Sequence, residues 1–130
     1  MLTKDKAICI RAVDYSETSQ VVTFFTSSAG RISAIAKGSK RRKSDFGGPI
    51  EILARGTIVY SHSPARDLST LTEFEQAGSY GLLRSDFFCL NCGYFAAEMV
   101  NDFTGEYDPH PKLFEALERF LERLQSASNK

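Results

Sequence analysis

The sequence predicts a mainly β fold with α, strands first and helices last, and three observations predict it. Between Ala7 and Glu75 lie five short segments rich in β-branched and aromatic residues, separated by Gly, Ser, Asp and Pro. Beyond Ser79 the apolar period changes from two to three or four. The length, 130 residues, suits one domain with a helical appendage. The division expected is residues 1–78 for the β domain and 79–130 for the helical segment.

The elements follow in order. Ala7 to Val13 alternates, with Ile8, Ile10 and Ala12 on one face and Cys9, Arg11 and Val13 on the other. Gln20 to Thr26 is a β-branched and aromatic run. Ser27 to Gly30 is a hairpin turn in which Gly30 supplies the positive φ. Arg31 to Lys37 makes a third strand. Ile50 to Tyr60 reads as the longest, with Ile50, Ile52, Ala54, Ile58 and Tyr60 on one face and Gly56 marking a bend or bulge on that face. Asp67 to Glu75 is the fifth, and its imperfect alternation at Leu68 and Leu71 suggests a bulge. Five strands in meander order with a bent long strand fit a small five-stranded OB-fold-like barrel; an open sheet packed on the helices is the alternative. Arg84 to Phe103, apolar nearly all round, reads as a mostly buried helix. Gly105, Pro109 and Pro111 break it. Leu113, Phe114, Leu117, Phe120, Leu121 and Leu124 then mark an amphipathic helix with a proline-marked start. The tail from Gln125 is polar and expected to fray.

Charge is distributed unevenly. The formal net charge is zero, but residues 1–66 hold 11 Lys and Arg against 5 Asp and Glu, and residues 67–130 hold 5 against 11. The basic half concentrates its charge between the third and fourth strands: five of the nine residues from Ala36 to Ser44 are cationic, namely Lys37, Lys40, Arg41, Arg42 and Lys43. Gly38, Ser39 and Ser44 make this a loop. Crowded like charges repel, and a polyanion or solvent relieves the repulsion. On a barrel that binds oligonucleotides, such cations meet phosphates while aromatic side chains stack on bases. Arg31, Arg55 and Arg66 are candidate flanking contacts. Of Phe24 and Phe25, which point to opposite faces, one at most is a stacking platform and the core is the stronger expectation for each. Tyr15 is suited to stacking or to a core-rim position.

Other chemistry is sparse. Cys89 and Cys92 have the C-x-x-C spacing of redox and zinc sites, but only Cys9, His62 and His110 could complete a tetrahedral set. Thiols inside an apolar helix read better as small hydrophobes. His62 and His110 read as isolated surface residues, and Glu98 as an exposed edge or a partner of Arg84 or Arg11. No phosphate-binding Gly-rich motif, nucleophile elbow or metalloprotease motif occurs, so no enzyme and no cofactor is expected. An odd number of cysteines, three, argues against a disulfide framework and for a reducing cytoplasm. No apolar run is long enough for a membrane span.

The run Tyr15-Ser-Glu-Thr-Ser, then Val21-Val-Thr-Phe-Phe-Thr, Gly30-Arg31, Ala36-Lys37-Gly38 and the basic stretch from Lys40 to Ser44 resembles the N-terminal domain of the RecO family of bacterial DNA repair proteins. Leu83-Arg84-Ser-Asp86, Tyr94-Phe-Ala-Ala-Glu98-Met99 and Leu113-Phe114 are similar to its first helices. The resemblance is collinear over essentially the whole chain. It implies an oligonucleotide-binding barrel leading into a helical domain, binding of single- and double-stranded DNA, strand annealing, and work with RecR and single-strand-binding protein in loading the recombinase RecA, in the cytoplasm at the nucleoid. The family's chains are longer, so a shortened form is expected, with the helical segment as the start of a truncated C-terminal domain. The four-cysteine zinc site of some relatives has no counterpart in the sequence. The competing functional class is a protein-interaction module on the same fold without DNA binding of its own; a redox or zinc protein is a third.

Overall fold

The computed structural model describes residues 2–41, 43–62, 65, 67–79 and 86–128. Among these residues five strands, β1 (Leu2–Asp14), β2 (Gln20–Thr26), β3 (Gly30–Ala36), β4 (Ala54–Ser61) and β5 (Ser69–Ser79), precede two helices, α1 (Phe87–Phe103) and α2 (Pro111–Ser128). The strands close into a ring in the order β1-β2-β3-β5-β4, an OB-fold-like arrangement. Strand order is where the simple meander expectation fails. β4 returns to pair with the first half of β1, from Leu2↔Ser61 to Ile8↔Arg55. β5 closes the ring on β3 through a short parallel seam, Ala34↔Ser69 and Ile35↔Thr70. β1 serves two neighbours, one on each edge: it pairs with β4 up to Ile8 and with β2 from Ala7 onward, with a bulge between Cys9 and Arg11.

Two apolar clusters flank the sheet. Val22, Phe24, Ile32, Ala34, Ile58, Tyr60 and Phe74 fill the ring. Ile8, Ile10 and Phe25 on the outer face meet Ala97 and Val100 of α1 and Phe114, Leu117 and Leu121 of α2. Phe24 packs edge-on to Phe74 and Phe25 against Phe114. Neither phenylalanine is a stacking platform, because the helices cover the face on which Phe25 stands. The bulge also moves Ala12 off the face of Ile8 and Ile10 and against the interior cluster.

Gly56 lies in β4, which at 8 residues is not the longest strand expected but shorter than β1 with 13 and β5 with 11. A Cβ on Gly56 would lie 2.1 Å from the Glu75 carbonyl oxygen, and the β4–β5 register shifts beside it. The second shift, at Val59/Tyr60, is the bulge expected in the fifth strand. The fourth strand begins later than its alternation suggests. Residues 50–53 form a turn, with Leu53 at φ 76° donating its amide to Cys9 O at 2.8 Å. Ile50 and Ala54 enter the ring, but Ile52, expected on their face, packs toward the helices with Leu53, because the turn breaks the strand alternation there.

The first helix differs most from expectation. Asp86 caps it, accepting from the Cys89 amide at 3.1 Å. Its buried residues are small or slender: Cys89, Gly93, Ala97 and Val100. These let the backbone approach the sheet, and Phe87, Phe88, Phe95, Met99 and Phe103 are left exposed. The helix is therefore half-covered rather than mostly buried. α2 starts at Pro111, as expected, and continues to Ser128, so residues 125–128 are helical. Among the described residues no helix is long and apolar enough to cross a membrane.

Candidate nucleic-acid interface

The connection from β3 to β4, residues 37–53, carries the basic stretch. Its two ends are tied together by one buried side chain. Gln20 Oε1 accepts from Ser39 Oγ at 2.7 Å and from the Ile50 amide at 2.8 Å, while Gln20 Nε2 donates to Ile50 O at 3.0 Å. Phe46 and Ile50 enter the ring below. The loop is thus closed at its base on the barrel end.

It is also stitched to the β1–β2 turn. The Lys40 amide donates to Thr18 O at 3.0 Å and the Gly38 amide to Ser19 Oγ at 3.1 Å. Lys40 Nζ meets Asp14 Oδ2 at 2.9 Å, which neutralises part of the loop's self-repulsion internally. Lys37, Arg41 and Lys43 are exposed. Gly38, at φ 72°, turns the chain so that the Arg41 side chain folds over it. Arg42 and Arg66 lie outside the described residues, as does Arg84.

The stitching sets the loop beside a cleft of about 360 Å³ lined by Tyr15, Ile35, Lys37, Asp67, Leu68 and Thr70. Its walls are the β1–β2 and β4–β5 connections, and its floor is the β3–β5 seam, where Ile35 pairs with Thr70. The β1–β2 and β4–β5 connections are the loops with which OB-folds bind oligonucleotides. Tyr15 is 62% exposed, on a turn held by Tyr15 and Ser16 amides donating to Ser19 O at 2.9 and 3.3 Å. Asp67, Leu68 and Thr70 escaped the sequence reading because only ring closure brings the β5 start to the β3 end. Gln20 escaped it because its partners are distant in sequence.

The strand arginines have other surroundings. Arg31 donates from Nε and Nη2 to Thr104 O at 3.2 and 2.7 Å, fastening the end of α1 to β3. The linker continues along that strand, with the Tyr107 amide donating to Arg31 O at 2.9 Å. Arg55 is half-buried in a crevice lined also by Lys6, Phe114 and Glu118, beneath α2 rather than beside the basic loop. His62 is exposed but not isolated: its Nδ1 lies 2.8 Å from Tyr107 Oη, which also bonds Ser69 Oγ. His110 pairs with Asp108 at 3.2 Å. Glu98 is exposed at an edge, sharing a cleft with Arg11.

Cys9 lies inside the ring, and burial pushes its thiol up to about 12. Cys89, on the buried face of α1, is also raised, first by desolvation and then by Asp86. Neither is disposed to thiolate chemistry. Cys92 is half-buried. Among the described residues no group of His, Cys, Asp and Glu has the placement to hold a metal.

The family model for the recombination protein O N-terminal region matches residues 1–80, and that for its C-terminal region matches residues 84–130. The chain belongs to the RecO family. It is 37% identical over 126 residues to the DNA repair protein RecO of Salinibacter ruber, covering 97% of this chain and 48% of that one. It is 38% identical over 109 residues to DNA repair protein RecO of Rhodopirellula baltica, 84% and 40%. With that of Geobacter metallireducens identity is 34% over 122 residues, 94% and 49%. The chain therefore spans about half the length of the curated RecO relatives it matches.

Proposed function

We propose that this chain is the DNA-binding part of a RecO-type recombination mediator, which holds single- and double-stranded DNA and acts by binding rather than catalysis. The observation that carries the reading is the basic loop, fixed at its base by Gln20 and stitched by Lys40 to the turn that presents Tyr15. Exposed cations on an anchored loop beside an OB-type cleft are what a phosphate backbone and its bases require. Strand annealing, RecA loading with RecR, contact with single-strand-binding protein and a place at the nucleoid belong to the same proposal; membership of a DNA repair family supports them. Arg31 and Arg55 are left out of the proposed interface because each is engaged beneath the helices or their linker.

Oligonucleotide affinity measured against salt tests it. If Lys37, Arg41 and Lys43 each meet one phosphate, they contribute about −2 to the slope of log affinity for single-stranded DNA against log salt, at roughly −0.7 per contact. Replacing all three with Ala should reduce the slope by about that much and leave the melting temperature unchanged. An unchanged slope would move the interface off the loop. Absence of binding by the unmutated chain at low salt would instead favour a protein-interaction module without DNA binding of its own.

A further inference from the structure

The cleft beside the basic loop is not itself basic. Lys37 stands at its rim, but its walls carry Tyr15, Leu68 and one carboxylate, Asp67, and its floor is Ile35 and Thr70. A phosphate would meet a like charge there, whereas the exposed cations Arg41 and Lys43 lie on the neighbouring loop. The two surfaces therefore suit different parts of one ligand: the loop takes the backbone and the cleft takes something flat, partly apolar and rich in hydrogen-bond donors. At about 360 Å³ the cleft lies at the small end of pockets for organic ligands, about 300–1,000 Å³.

We propose that this cleft holds one unstacked nucleobase of a single strand, stacked on Tyr15 and read by Asp67, with guanine preferred; the inference rests on the DNA-binding reading above. Tyr15 offers an exposed ring on a self-bonded turn, so the backbone that carries it is held before the base arrives. Base–aromatic stacking is tolerant of base identity, so Tyr15 supplies affinity and not choice. Choice falls to Asp67. An ionised carboxylate has two acceptor oxygens and no donor. Guanine alone among the DNA bases presents two adjacent donors, N1–H and N2–H2, on its Watson–Crick edge. Cytosine and adenine each offer one amino group next to an acceptor that the carboxylate would repel, and thymine one imide N–H between two carbonyls. A duplex base cannot present that edge, so the cleft distinguishes single strands from double.

The test uses the full chain and fluorescence anisotropy with three oligonucleotides: oligo-dT, the same with one central dG, and the same with one central abasic site. Tyr15→Ala should weaken oligo-dT binding about tenfold, within the range of one stacked base, with the salt slope unchanged and Tyr15→Phe retaining affinity. The single dG should bind several-fold tighter than oligo-dT, and Asp67→Asn should erase that preference without weakening oligo-dT. Tyr15 and Asp67 are exposed, so both variants should keep the wild-type melting temperature. If Tyr15→Ala binds like wild type, or the abasic oligonucleotide binds like oligo-dT, the base site is wrong while the salt-dependent loop reading stands. A guanine preference that survives Asp67→Asn would overturn the assignment of Asp67. No binding by the unmutated chain overturns both proposals.

Discussion

Gln20 is a residue whose value lies in what it satisfies. Its amide takes up Ser39 Oγ and both backbone groups of Ile50, all buried. Gln20→Leu leaves them without those bonds, and each orphaned buried group costs about 1–3 kcal/mol. Denaturant unfolding should show a loss near the upper end of that range or above it, together with faster proteolytic cleavage between residues 37 and 50. No composition or period announces such a role, since the bonds join positions 19 and 30 residues apart. Cys9 gives a prediction of opposite origin. Its thiol is held up to about 12 from an ordinary value of 9.0 by burial inside the ring. Above pH 9 the unfolded chain loses this proton and the native chain keeps it, so the native state loses stability as pH rises, by about 1.4 kcal/mol per pH unit once well past 9. The difference in unfolding free energy between wild type and Cys9→Ala should therefore shrink between pH 8 and pH 11. A difference that stays constant would mean that the thiol is not held in its neutral form.

The two helices are fixed to the sheet by few large side chains and one linker. Phe114 is fully buried against Phe25, and Arg31 holds the Thr104 carbonyl. Gly30 admits the linker: a Cβ there would lie 2.2 Å from Asp108 O. Phe114→Ala should cost about 3–5 kcal/mol, as for other buried phenylalanines. Phe120, 42% exposed in a groove with Met99 and Leu113, should cost less than about 1 kcal/mol, although its sequence position puts it in the same apolar stripe. Chemical denaturation of the two variants separates them; equal losses would mean that Phe120 is as well covered as Phe114. Helix existence was legible here, from the proline before Leu113 and the spacing of the leucines. Helix facing was not. In α1 the large side chains are exposed and the small ones buried, because close approach to the sheet selects Cys89, Gly93 and Ala97, and a reading that equates size with burial inverts the helix. The strands misled for a related reason. Apolar residues continue through the turn at 50–53, where Ile50 enters the ring while Ile52 and Leu53 both pack toward the helices, so their spacing imitates a strand that is not there.

At the scale of the molecule the ring separates two kinds of surface. One end bears the anchored cations, the cleft and Tyr15. The far side of α1 and α2 bears a broad apolar face, with Phe95 63% and Phe103 83% exposed. Charge separation between the halves was visible in the sequence; the apolar face was not, since it depends on which side of α1 meets the sheet. Two adjoining grooves along this face share Ala96, Met99 and Phe120 and include no charged side chain. Exposed apolar area of this kind is rare on a monomer in water, and it contributes nothing to the folding of this chain because it stays wet in the native state. Its removal should then be thermodynamically cheap. Phe95→Ser with Phe103→Ser should shift unfolding free energy by no more than about 1 kcal/mol in all, since most of each ring is already in water. The same pair should raise solubility and reduce binding of a hydrophobic dye to the native chain. A loss of several kcal/mol would show instead that both rings are covered in the folded state, and the face assigned to α1 would have to be turned toward the sheet.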